Sequence, residues 1–138
     1  MFQDYLQIIK YSSLGIAQWV KNIPALTWSI SIDNNGNVYA AGYTGSGVVN
    51  FGDGVIGIGT YIFENPIFIK YNSSGTTQWA RSTTSGNIGA GFNSVAIDTN
   101  GNVYAVGGGG GDVLRGTFSF GNGVTVTSSG LLLVKYGE

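Results

Sequence analysis

The chain has 138 residues, room for one domain with a sizeable core, and its six Lys and Arg against seven Asp and Glu leave a net charge of −1. So few charged residues, 9% in all, argue against a basic surface that tracks nucleic-acid phosphates or anionic lipid. Cysteine and histidine are absent, which removes disulfides, thiolate metal sites, cysteine nucleophiles and histidine acid–base chemistry.

Met1 to Tyr5 carry neither a basic n-region nor a long apolar stretch, so no signal peptide is expected in the numbered sequence. From there on, short apolar runs alternate with Asn-Gly, Ser-Gly and Gly-rich punctuation, the pattern of short strands joined by tight turns. Strands are predicted at Leu6 to Tyr11, Ile16 to Lys21, Trp28 to Asp33, Val38 to Tyr43, Ile67 to Asn72, Thr76 to Arg81, Ser94 to Asp98, Val103 to Gly107 and Leu131 to Tyr136. Asn35-Gly36 and Asn100-Gly101 each stand between two of these strands, where a type I′ hairpin turn with positive φ at both central residues is expected. A small extra hairpin is predicted within Val49 to Val55, turning at Gly52-Asp53-Gly54, and again within Phe118 to Val124, turning at Gly121-Asn122-Gly123.

These elements repeat. Ile32-Asp33-Asn34-Asn35-Gly36-Asn37-Val38-Tyr39-Ala40-Ala41-Gly42 returns as Ile97-Asp98-Thr99-Asn100-Gly101-Asn102-Val103-Tyr104-Ala105-Val106-Gly107. Lys10-Tyr11 and the following Gln18-Trp19 recur as Lys70-Tyr71 and Gln78-Trp79, and the series starts again at Lys135-Tyr136. With the strands of one unit lettered A to D, the chain reads C-D, A-B-C-D, A-B-C: a partial unit over 5–22, a full unit over 28–82 and a partial unit over 93–136. Strand C, Ile67-Phe68-Ile69 in one copy and Leu131-Leu132-Leu133-Val134 in another, is apolar on both faces and needs cover on both. The expected fold is all-β, with about two four-stranded antiparallel β-propeller blade equivalents per chain, in preference to a two-sheet sandwich or a β-solenoid.

The segment Ala96-Ile97-Asp98-Thr99-Asn100-Gly101-Asn102-Val103-Tyr104-Ala105-Val106-Gly107, followed by Phe118-Ser119-Phe120-Gly121-Asn122-Gly123 and Leu133-Val134-Lys135-Tyr136, resembles the bacterial β-propeller repeat family often called SBBP. The resemblance covers nearly the whole chain, including Gln18-Trp19 and Gln78-Trp79. It implies extracellular or cell-surface scaffold and binding proteins without shared catalytic residues.

Two blades do not close a ring, since propellers usually carry about four to eight. Completion is therefore expected from other copies, as a ring or filament, or from further blades of a longer chain. The last A-B-C sheet lacks strand D, and the segment containing Ile16, Gln18 and Trp19 is the candidate assembly strand for a neighbouring chain.

Residues that recur, such as Asp33 and Asp98, Lys21 and Arg81, or Trp19 and Trp79, read as structural, the tryptophans filling space between blades. Asp33 and Asp98 stand where a carboxylate caps a turn. Among single-copy residues, Trp28 is a candidate stacking platform for a sugar, and Asp112 and Arg115, after the run Gly107 to Gly111, are candidates for ligand contact. That glycine run is not followed by the Gly-Lys-Ser/Thr of a phosphate loop. Asp33 to Asn37 lacks the alternating acids of a calcium loop, and Asn72-Ser73-Ser74 forms one glycosylation sequon. The composition leaves catalysis only to carboxylate pairs, lysine or tyrosine, for example a glycosidase pairing Asp53 with Glu64 or Asp112. The expectation is a non-catalytic structural or interaction module with no cofactor and no metal, with a carbohydrate-binding lectin-like propeller as the alternative and an extracellular or surface location.

Overall fold

The computed structural model describes residues 6–109, 116–128 and 130–136, and every regular element among them is a β-strand. In chain order these are β1 (Leu6–Tyr11), β2 (Ala17–Ile23), β3 (Leu26–Ile32), β4 (Val38–Thr44), β5 (Gly47–Gly52), β6 (Val55–Gly59), β7 (Asn65–Tyr71) and β8 (Thr77–Ser82). They continue as β9 (Ser85–Gly86), β10 (Ala90–Ile97), β11 (Val103–Gly109), β12 (Gly116–Ser119), β13 (Thr125–Ser128) and β14 (Leu131–Tyr136). Strands β1 and β2 pair alone, β3-β4-β7-β8 make a four-stranded antiparallel sheet, and β10-β11-β14 make a three-stranded one. The C-D, A-B-C-D, A-B-C order of the sequence is thus visible as sheets of two, four and three strands; Tyr5, the first residue of the first predicted unit, lies outside the described residues.

The inserts also form as hairpins, β5-β6 in one unit and β12-β13 in the next, the latter joined by the two-residue strand β9. Equivalence between units is exact in register. Tyr39 pairs with Lys70 and Ala41 with Phe68 in the central sheet, just as Tyr104 pairs with Lys135 and Val106 with Leu133 in the third.

Turn chemistry departs from expectation at Asn35-Gly36 and Asn100-Gly101. Only Gly36 (φ 79°) and Gly101 (φ 83°) have positive φ, and the loop has three residues, with Asp33 N–H donating to Asn37 O and Gly36 N–H to Asp33 O. The cause is the carboxylate: Asp33 Oδ1 accepts the N–H groups of Asn35 and Asn37 at 2.9 Å each, which holds Asn35 in an ordinary turn conformation and leaves the left-handed step to glycine. Positive φ at three consecutive residues is found instead at the insert tips, Gly52 (87°), Asp53 (54°) and Gly54 (80°), and Gly121 (87°), Asn122 (50°) and Gly123 (75°).

Strands β3 and β10 begin earlier than predicted because each carries a bulge, at Trp28 and at Asn93, that interrupts the alternation. Gly107 to Gly109 belong to β11 and pair with Phe92, Gly91 and Ala90, so the front of the glycine run is strand. A side chain at Gly107 would collide with the backbone of Gly91, as one at Gly42 would with Leu26.

Two apolar layers flank the central sheet. On one side Ile67, Ile69 and Tyr71 meet Ile8 and Ile23 of the first sheet and Phe51 of the β5-β6 hairpin. On the other, Tyr39, Ala41 and Phe68 meet Phe92, Val95, Val103, Ala105 and Val134 of the third sheet. Strands β4 and β7 are therefore buried on both faces, whereas β14 alternates, with Leu132 and Val134 buried but Leu131 and Leu133 82% and 74% exposed. The first sheet shows the same one-sided burial, since Ile8 is buried while Ile9 and Tyr11 are exposed.

Candidate functional site

The recurring aspartates are engaged within their own units. Asp33 Oδ2 accepts bonds from Asn37 Nδ2 at 2.7 Å and Tyr39 OH at 3.3 Å, and Asp98 makes the same contacts with Asn102 and Tyr104. Burial pushes the Asp33 pKa up, but the bonds from Asn37, Asn35 and Tyr39 outweigh it and the carboxyl ends below its ordinary value. Asp98 is lowered as well, first by Asn102. Each carboxylate thus serves as the cap of its turn. Asn72 does the same for the loop between β7 and β8, accepting from Ser74 N–H and Thr76 N–H, so the sequon asparagine is itself a turn cap.

Trp19 packs in the layer between the first and central sheets and donates from Nε1 to Ser73 O at 3.1 Å, while Lys10 Nζ donates to the same oxygen at 2.9 Å. Trp79 lies among Tyr39 and Phe68 in the second layer. Of the predicted assembly strand, Ile16 and Gln18 are exposed, but Trp19 is occupied in its own chain and β2 is paired with β1. Trp28 is 61% exposed on the β3 bulge, with its ring 6.3 Å from that of Tyr43. Asp112 and Arg115 lie outside the described residues.

Asp53, which the sequence marks as the tip of an insert hairpin, belongs to a latch that crosses the sheets and that no local sequence pattern signals. Lys21 Nζ of β2 bonds Asp53 Oδ2 at the tip of β5-β6 at 2.6 Å, and the same oxygen accepts Thr77 N–H of β8 at 2.7 Å. Thr77 Oγ1 donates to Phe51 O at 3.0 Å in a buried contact. Lys21, then Thr77, hold the Asp53 carboxyl down at about 2. A carboxyl so strongly ionised is a poor proton donor, which weighs against its use as the acid of a glycosidase.

In the third unit Arg81 stands in the place of Lys21, Asn122 in that of Asp53 and Tyr136 in that of Tyr71. They line a hollow of about 220 Å³. No described strand occupies the position that Thr77 and β8 hold in the central unit. The Tyr136 hydroxyl is buried without a hydrogen-bond partner among the described residues, and burial pushes its pKa up to about 12. The signal was legible in the alignment of the two insert tips, which pairs Asp53 with Asn122 while Lys21 keeps a cationic counterpart in Arg81.

A cleft of about 590 Å³ between the end of β2 and β5 is lined by no carboxylate. No group of three or more Asp and Glu side chains able to hold a metal occurs among the described residues. No family model matches the chain, and no curated protein matches it significantly.

Proposed function

We propose that this chain is a non-catalytic structural and interaction module of β-propeller-type repeat units, completed by other copies of itself or by further units. The carrying observation is the difference between equivalent strands: β7 is covered on both faces and paired with a strand on both edges, whereas β14 has one face open and, among the described strands, stands at the edge of its sheet beside β11. Uncovered apolar residues lie on the outer faces of the two end sheets, Leu131 and Leu133 on the third and Ile9 on the first, and Ile30 and Ile32 of β3 are exposed on the face of the central sheet that the two-stranded first sheet leaves partly bare. Such two ends favour head-to-tail stacking, which closes into a ring or runs on as a filament. A further unit would also meet the open β14 edge with a strand of the D type. The family resemblance supports this reading and an extracellular or surface location.

Light scattering and electron microscopy of the purified chain test the proposal. Rings or fibres are expected; a compact monomer at all concentrations would overturn self-assembly. The second reading, a lectin-like module, rests on Trp28 and Tyr43, an exposed ring beside a second aromatic. A glycan array checks it: no binding would remove the reading, and binding that survives Trp28→Ala would move the site away from Trp28.

A further inference from the structure

The geometry points to the hollow at Arg81, Asn122 and Tyr136 as a socket for a carboxylate, Asp or Glu, carried by the strand that completes the β14 edge. This rests on the edge-strand reading above and adds the chemistry of the incoming residue. In the filled latch one carboxylate, Asp53, serves both the cation from the preceding sheet and the backbone N–H of the next strand. In the unfilled one the cation is kept as Arg81, but the tip residue is the neutral Asn122, so the negative charge is missing from the chain's side. Arg81 lies over the Trp79 ring at 5.3 Å and has no carboxylate partner among the described residues.

Three polar groups meet in one place. The Arg81 guanidinium and the Asn122 amide are exposed at the hollow, beside the Tyr136 hydroxyl, which is buried and has no hydrogen-bond partner among the described residues. An incoming residue opposite Tyr136, in the position Thr77 takes opposite Tyr71, would give its N–H to Asn122 Oδ1 and its carboxylate to Arg81 and the Asn122 amide. The charge has moved from the hairpin tip to the strand. A second copy of β2 would bring Ala17 to this position, as Ala17 pairs with Tyr11, and would leave Arg81 unpaired. The socket therefore prefers an acidic strand to the chain's own.

The test uses a synthetic strand of residues 76–83 and its Thr77→Asp and Thr77→Asn forms, each titrated with dilute full-length chain by fluorescence anisotropy. The Thr77→Asp strand should bind about 10-fold or more tighter than Thr77→Asn, as expected for charge-assisted bonds against neutral ones. Arg81→Met in the chain should abolish that preference, and Asn122→Asp should reverse it by restoring the negative tip. Equal binding of the three strands overturns the carboxylate socket and leaves the edge-strand reading standing. Binding of none of them overturns the edge-strand reading itself.

Discussion

At the scale of single residues, Asp33 and Asp98 act as caps and Asp53 as a clasp. Asp33 receives four hydrogen bonds within one hairpin. Asp33→Ala should cost about 1 to 2 kcal/mol in denaturant unfolding, while Asp33→Asn should cost less, because an amide oxygen still accepts the two backbone N–H groups. Asn72 already performs that task in the equivalent loop. Asp53 gives a pH signature. Its folded pKa is depressed to about 2 against an unfolded value of about 3.9, so its contribution is present above pH 4 and is lost as pH falls toward 2. Stability measured from pH 5 to pH 2 should fall less steeply in Asp53→Asn than in the parent, and an unchanged slope would remove the latch from the stability of the fold.

At the scale of elements, the strands and repeats were legible in the sequence because each unit punctuates itself with Gly and Asx and alternates apolar residues in between. The turn type was not, because it depends on where the Asp33 carboxylate reaches, and Asn35-Gly36 alone is compatible with a two-residue turn. Strand β9 was equally hidden: Ser85 and Gly86 carry no pattern, and they pair only because Thr84 N–H finds Ser119 O at 2.7 Å. The latch escaped notice because its partners, Lys21, Asp53 and Thr77, are separated by more than twenty residues at each step. One element can be tested through its glycine. Gly15 (φ 76°) and Gly75 (φ 84°) hold the same place in equivalent loops, but a Cβ at Gly15 meets open space while one at Gly75 would come 2.8 Å from Trp19 Cδ2. Gly15→Ala should therefore cost about 1 kcal/mol of backbone strain alone, and Gly75→Ala about 1 kcal/mol or more beyond that, with a change in Trp fluorescence.

At the scale of the whole molecule, the chain repeats one sheet whose two faces are both apolar, and the fate of each copy depends on its neighbours. Phe68 and Leu133 make the argument sharp, since they occupy the same register position, opposite Ala41 and Val106. Phe68 is fully buried between the central and third sheets, while Leu133 points away from the stack and is 74% exposed. Phe68→Ala should destabilise the fold by about 3 to 5 kcal/mol through the lost ring and the cavity it leaves. Leu133→Ala should change the stability of the dispersed chain by no more than about 0.5 kcal/mol. Its effect should fall on assembly, because an exposed leucine gains about 1.5 to 3 kcal/mol only when another surface covers it. Unfolding curves and light scattering on the two variants separate the cases: loss of association without loss of fold in Leu133→Ala is the expected outcome. A Leu133→Ala chain that assembles as the parent does would show that the outer face of the third sheet meets no partner.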